Sequence, residues 1–292
     1  MLNYSVITAA RNESANLVEL YASLRSQTIL PSLWLIAENG STDDTRAVAD
    51  SIAAAAPWVR VISVPGDRTP VRGAPIVRAL HAALEALDGP PDLLANVDAD
   101  VTMGSAYFET LVARFEEDTD LGIASGSAWE QAGGKWVQKH VTGDSVWGAT
   151  RVYRWACLQD VLPFEPRLAW DGIDEAKAGA RGWRTRTFVD LPFEHHRPEG
   201  ERDGSSLRRW KEVGRSCHYL DYRIPYLFAR TAHHARRDPA AVGILWGFAG
   251  SLLRREPRLA DARARQYVRD SQRLRDLPAR RREALGRSPR SR

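Results

Sequence analysis

Short, continuous apolar runs alternate with stretches whose apolar residues recur three and four positions apart. Residues 3–9 (NYSVITA) form the first run and read as a buried strand. Leu17, Leu20, Tyr21 and Leu24 then mark an amphipathic helix that Asn12 or Ser14 would cap. The alternation repeats down the chain. Residues 33–37 (LWLIA) predict a strand and 46–55 a helix; 59–64 a strand and 74–87 a helix. Residues 92–97 (DLLANV) predict a strand, 105–117 a helix and 121–127 a strand. Such spacing predicts an α/β fold of βαβ units around a mostly parallel central sheet with flanking helices. Sheets of this kind bind ligands beyond the carboxyl ends of their strands. Glu38, Asp98 and Asp100 stand at predicted strand ends.

The pattern weakens afterwards. Residues 128–146, with Gly133-Gly134, are expected to be loop with short β pieces. Residues 152–160 read as a helix, 170–180 as a helix closed by Gly182, and 183–189 as a strand. Composition shifts near Arg197-Pro198-Glu199-Gly200. Beyond it, 205–228 and 240–253 predict helices apolar on one side, and 254–292 an Arg-rich helix followed by a disordered tail from about residue 280. The expected organisation is therefore a domain over 1–198 and a basic, helical C-terminal extension over 199–292.

Charge sharpens that division. The formal net charge of +4 is the difference between 41 Lys+Arg and 37 Asp+Glu. Residues 1–196 hold 17 basic and 26 acidic residues, net −9; residues 197–292 hold 24 basic and 11 acidic, net +13. An acidic working domain followed by a basic region points to an anionic partner for the second part. Hydrophobic content of 43% with 10 Trp excludes a disordered chain. Two cysteines, Cys157 and Cys217, exclude a disulfide framework and suggest a reducing, cytoplasmic compartment. No leader peptide is expected from the opening residues, and the longest low-charge apolar run, 240–253, is 14 residues, short of a membrane span.

Four constellations carry chemistry. Asp98-Ala99-Asp100 puts two carboxylates on a tight turn, a suitable cradle for a divalent cation bridging phosphate oxygens, or a solvated turn. Glu38-Asn39-Gly40 opens a turn rich in helix-capping residues, and a carboxylate ending a buried strand calls for a partner. Asp171, Asp174 and Glu175 crowd a helix start, where they either complement the helix dipole or offer a general base. His195-His196 follow a strand, and adjacent residues of an extended chain face opposite sides, so at most one is expected to face the site.

The order of these pieces is the informative signal. Val6–Glu13 (VITAARNE), Ser23–Thr28 (SLRSQT), the 38–45 turn and Asp98-Ala99-Asp100 together resemble the inverting family 2 glycosyltransferases of GT-A fold, over residues 4 to about 198. The resemblance implies a nucleotide-sugar half over about 1–102 and an acceptor half over about 103–198. It implies a donor pocket lined by Ala9, Ala10, Arg11 and Glu13. Glu38, in place of the family's aspartate, would contact the nucleotide base, with Asn39 and Gly40 beside it. Arg72, Gly73 and Arg78 would lie near the diphosphate, and Asp98 and Ala99 near the ribose or metal. Asp100 would ligate the cation, Mg²⁺ or Mn²⁺, and His195 or His196 would supply a further metal or diphosphate contact. Asp171 matches the catalytic base by its spacing to Lys177 and Gly182-Trp183, although Trp170 replaces the usual Glu; Asp174 and Glu175 are the alternatives.

The reading is a metal-dependent enzyme moving sugar from a nucleotide-diphosphate sugar to an acceptor hydroxyl with inversion, in polysaccharide, glycolipid or cell-envelope biosynthesis. A saccharide or lipid-linked acceptor and an anionic membrane surface are the candidate partners, with a cytoplasmic enzyme peripheral on the inner face of the membrane. A nucleotidyltransferase is disfavoured because the loop after the first strand lacks glycines. A nucleic-acid-binding protein is suggested only by the Arg-rich end, without a recognised binding signature, and no nucleic acid is expected as a partner.

Overall fold

A computed structural model describes residues 1–66, 73–139, 145–197 and 205–273. Arg72, the 198/199 boundary and the tail from residue 280 lie outside the described residues. The chain divides into two units, one of residues 1–170 and 182–198, the other of 171–181 and 199–292.

The first unit is built on one nine-stranded sheet. Its parallel part orders β3 (Val59–Ser63), β2 (Leu33–Glu38), β1 (Tyr4–Ala10) and β4 (Leu93–Val97). Helices α1 (Ser14–Arg25), α2 (Thr45–Ala55) and α3 (Ala74–Glu85) connect these strands. β1, β2 and β4 are buried on both faces, which is why they read as unbroken apolar runs. Trp34 fills the interior beside Trp58 and Tyr21, ring centroids 6.1 and 6.4 Å away, and its indole N–H donates to Thr8 Oγ1 at 2.9 Å.

The other half of the sheet is mixed. β8 (Thr150–Arg154) runs antiparallel to both β4 and β6 (Leu121–Ala132). β9 (Arg184–His195) runs parallel to β6, and the short edge strand β5 (Val101–Met103) antiparallel to β9. β7 (Lys135–Gln138) folds back on β6 through Gly133 and Gly134, both at positive φ. α4 (Tyr107–Glu117) and α5 (Trp155–Val161) complete the unit.

Several boundaries differ from the sequence reading. The helix expected over 152–160 begins at Trp155, because Val152 and Tyr153 are taken into the sheet by pairing with Ala95 and Leu94. β5 is too short to carry a periodic signal. β6 and β9 extend past 127 and 189, where Glu130, Gln131, Asp190 and Glu194 interrupt the apolar pattern.

In the second unit, α6 (Trp170–Gly179, from Asp171 on) contributes Ile173 and Ala176 to a small core with Leu220, Leu259, Ala264 and Val268. The helix expected over 205–228 is two helices, α7 (Ser206–Tyr219) and α8 (Ile224–Ala235), broken where Asp221 takes a positive φ and Pro225 restarts the helix. α9 (Gly243–Leu253) and α10 (Ala262–Ser271) follow, and no helix among the described residues is long and apolar enough to cross a membrane.

α7 and α9 approach closely through glycine. A Cβ built on Gly247 would stand 2.0 Å from the Lys211 carbonyl oxygen, and one on Gly214 2.1 Å from that of Ile244. Gly247→Ala should therefore push the helices apart and destabilise the second unit by about 1–3 kcal/mol. Urea melting followed by far-UV circular dichroism tests this, and an unchanged midpoint would contradict it.

Candidate active site

The carboxyl ends of β1, β2 and β3 are joined through their own backbones. Asn39 N–H donates to the Ala10 carbonyl at 2.9 Å, and Val64 N–H to that of Glu38 at 2.8 Å. Asn12 adopts a positive φ of 56° and turns its carboxamide oxygen onto the Thr42 N–H at 2.8 Å. Glu13 N–H donates to Thr45 Oγ1 at 2.7 Å. The two βα turns expected to hold a nucleotide are thus bonded to each other. Gly40 is required there: its φ is +66°, and a Cβ would come within 2.9 Å of Gly66 Cα. Glu38 is buried and accepts the Ser41 N–H at 2.5 Å, closing its own turn. Asn39 donates its side-chain amide to the Pro75 carbonyl at 3.3 Å, while its buried Oδ1 has no partner among the described residues.

Gly73 begins α3 at φ +84°, and a Cβ there would strike the Arg167 carbonyl oxygen at 2.3 Å. Arg11 and Arg78 are exposed, and Ala9 and Ala10 line the end of β1.

The densest chemistry lies beyond β4. Asp98, Asp100 and His195 each offer a ligand atom, all within 4.8 Å of one another. The pairing of β5 with β9 sets His195 opposite Val101, one residue past Asp100, and His196 N–H donates to the Asp100 carbonyl at 2.9 Å. His195 Nε2 lies 3.7 Å from Asp100 Oδ1, and its Nδ1 3.1 Å from Glu130 Oε1. Glu130 is almost fully buried and receives the Lys139 ammonium at 2.8 Å. Arg197 closes the other side: its guanidinium forks onto Glu13 at 3.0 and 2.7 Å and approaches Asp100 Oδ2 at 3.4 Å.

Two carboxylates and an imidazole suit a divalent cation, with positions left for phosphate oxygens and water. Glu130 behind the imidazole is the carboxylate that orients a ligating histidine and fixes its tautomer. Burial opposes charge on both members of the pair, yet the mutual attraction prevails. Burial would raise the Asp100 carboxyl, but the His195 hydrogen bond and charge, with Arg197, hold it below the usual range. Burial would lower the His195 imidazole, but Asp100, Glu130 and Asp98 push it up to about 9.

His196, taken with His195 as a metal candidate, is not in this cluster. It points to the reverse face of β9, where its Nε2 meets Thr102 Oγ1 at 2.9 Å, as strand alternation requires. Glu13, expected to line the donor pocket, spends both carboxylate oxygens on Arg197. Asp171, Asp174 and Glu175 belong to the second unit, on α6. Asp171 accepts the Gly172 N–H at 3.0 Å, Asp174 is fully buried, and Glu175 is half-buried one turn from Asp171. Glu130 and Lys139 carry no signal in the sequence, and Arg197 stands beside the two histidines there without a role of its own. Their partners lie 65 positions away for His195–Glu130 and 184 for Arg197–Glu13.

The comparison with known families bears directly on this arrangement. The model of glycosyl transferase family 2 matches residues 5–166, more than half of the chain. The chain belongs to glycosyltransferase family 2. Solved structures agree on the GT-A fold. The mannosyltransferase PcManGT from Pyrobaculum calidifontis, in complex with GDP-Man and Mn²⁺, superposes with a TM-score of 0.62 at 17% identity, covering 86% of this chain and 75% of that one. TarS 1-349 from S. aureus with UDP-GlcNAc gives 0.56 at 20% identity over 74% of this chain and 66% of that one. GalNAc-T7 with UDP, GalNAc and Mn²⁺ gives 0.59 at 13% identity over 75% of this chain, which spans 48% of it. A search of curated proteins found no match. The protein is a glycosyltransferase of GT-A fold, and that assignment displaces the nucleotidyltransferase reading.

The His195 contacts have a measurable consequence without metal. A histidine whose pKa rises from 6.5 to about 9 on folding adds stability that is fully present below pH about 6.5 and lost as pH rises through about 9. Metal-free protein should lose thermal stability over that interval. Glu130→Gln should flatten the loss and lower the His195 pKa in an NMR titration. A pKa unchanged by that substitution would leave Asp100 and Asp98 responsible.

Proposed function

We propose that the protein transfers a glycosyl group from a nucleotide-diphosphate sugar to an acceptor hydroxyl with inversion, using Asp171 as general base, at an anionic membrane surface. The observation that carries the reading is the convergence of Asp98, Asp100 and His195 at the carboxyl end of β4, the two aspartates lying within the residues that match the family.

A divalent cation held by these three side chains would neutralise the charge growing on the leaving diphosphate. The imidazole favours Mn²⁺ over Mg²⁺. Glu130 keeps His195 Nε2 turned toward Asp98 and Asp100, and Arg197 holds Asp100 in place from the side of Glu13. Asn39 Oδ1, buried and unpartnered, is an acceptor suited to the N–H of a nucleotide base, while Glu38 holds the turn beneath it. On α6, Asp174 is closed off from solvent, which favours Asp171 over it for removing the acceptor proton, with Glu175 on the same helix face. Asp171→Asn should abolish transfer while preserving the thermal shift produced by nucleotide sugar with Mn²⁺. Transfer retained in that variant would move the base to Glu175 or Asp174.

The membrane part of the reading rests on α9. The helix buries Gly243, Ile244, Gly247, Phe248 and Ser251, yet Val242, Trp246, Ala249, Leu252 and Leu253 form an exposed apolar stripe along its other side. Trp246 is 62% and Leu253 82% exposed. Exposed arginines flank the stripe in sequence, Arg236 and Arg237 before it and Arg254, Arg255 and Arg258 after it. An apolar stripe between cationic ends matches the boundary of an anionic bilayer, where apolar burial and charge attraction add. The protein should float with vesicles of phosphatidylglycerol at low salt, and Trp246→Glu should release it. Equal flotation of that variant, or none of the wild type, would reject this docking face.

A further inference from the structure

The β6–β7 hairpin and its neighbours β9 and β5 present two faces, and the candidate cation site uses only one. Register places Trp129 beside Glu194, Glu194 beside Thr102, and Gln131 beside Trp136. Strand alternation then puts Thr102, Trp129, Trp136 and Glu194 on the face opposite His195 and Glu130. These four side chains line a cavity of about 460 Å³, within the size range of small-ligand sites.

The chemistry of its walls is specific. Two indoles offer broad faces carrying the negative side of the ring quadrupole. Trp129 Nε1–H is buried without a hydrogen-bond partner among the described residues, although a buried indole N–H ordinarily has one. Thr102 Oγ1 lies 3.4 Å from the Glu194 carboxylate and 2.9 Å from His196 Nε2. The His196 ring in turn meets Trp136 edge-on, with centroids 5.8 Å apart at 80°. Gly104 leaves one side open, since a Cβ there would touch nothing within 4 Å. No Lys or Arg is among the lining residues, and Glu194 repels anions, so the cavity does not suit a phosphate. A ligand that fits has an apolar C–H face for indole, hydroxyl donors at its edge for Glu194 and no negative charge. That describes a pyranose ring.

We infer that this groove on the reverse of the β6–β9–β5 sheet binds an uncharged pyranose unit of the acceptor glycan. The ring stacks on the tryptophans, donates hydroxyl protons to Glu194, and accepts from Trp129 Nε1–H. The assignment to an acceptor rests on the glycosyl-transfer reading above; the sugar binding itself does not. Being on the opposite face from His195, the groove holds the chain away from the reacting hydroxyl.

The test is calorimetric titration of the full chain with maltotriose, cellotriose, mannotriose and chitotriose. Thermal shift by UDP and by GDP with Mn²⁺, measured in parallel, reports the donor site. At least one trisaccharide should bind, Trp136→Ala should weaken it tenfold or more with the nucleotide shift intact, and Trp136→Phe should restore most of it. Glu194→Gln, at an exposed position, gives an independent loss should Trp136→Ala fail to fold. Absence of binding by all four trisaccharides, or undiminished binding in both Trp136→Ala and Glu194→Gln, overturns the proposal. Saccharide binding that depends on Trp136 without any nucleotide shift in the wild type would uphold the groove and remove the donor reading instead.

Discussion

Four carboxylates gather at one edge of the sheet, and their mutual repulsion is the constraint that the rest of the site answers. Asp98 and Asp100 share a turn, Glu13 closes on Asp100 through Arg197, and Glu130 lies behind His195. Two like charges 4 Å apart cost about 4 kcal/mol at an effective dielectric of about 20, and such costs accumulate in a buried cluster. With Lys139 set against Glu130, Arg197 and protonated His195 supply the rest of the compensating charge in the metal-free protein. The two cations differ in kind. Arg197 is permanently charged and forks onto Glu13, so it acts as a fixed brace. His195 carries a proton that it can give up. A cation entering between Asp98 and Asp100 would replace that proton by a larger charge, so the same carboxylates would stay compensated before and after loading.

This balance depends on topology more than on any single element. Asp98 and Asp100 follow β4, in the parallel half, whereas His195 and Arg197 end β9, in the mixed half. The antiparallel pairing of the three-residue β5 with β9 brings the two ends together. The hairpin of β6 and β7 then adds Glu130 and Lys139 from behind. A strand so short contributes little stability by itself, and its value is positional.

That division explains what could be read from sequence. β1, β2 and β4 are buried on both faces, so their apolar runs were legible, and the ends of those runs located Glu38, Asp98 and Asp100. The 38–45 turn was legible from its Asn-Gly and Ser-Thr-Asp residues for the same local reason, although Asp44 at the start of α2 makes no side-chain capping bond. β5, β8 and the outer parts of β6 and β9 were not, because their pairing is decided by distant partners and their residues carry no long period. Lys139 and Arg197 look like ordinary surface cations until Glu130 and Glu13 are brought to them. The alternation argument did separate His195 from His196, but it could not tell which histidine faced the aspartates. The residues of α6 were read as part of the catalytic half, yet from Asp171 on they pack with the C-terminal helices, since Ile173 and Ala176 find their apolar partners there.

The charge asymmetry also changes meaning in three dimensions. Many arginines of the C-terminal part are held in ion pairs: Arg258 and Arg269 with Asp221, Arg223 and Arg273 with Asp270, Arg254 with Glu256. Such exposed pairs add little stability, typically about 0–1 kcal/mol each. They do organise the surface, because Asp221 and Asp270 each draw two arginines. What a distant anionic surface senses is the sum of charges rather than the pairing, so the excess of +13 in residues 197–292 persists as a long-range field. At about 0.15 M salt that field decays within about 8 Å. In the proposed docking it would orient the protein only once an anionic surface is near, with the apolar stripe of α9 supplying the contact that charge alone does not.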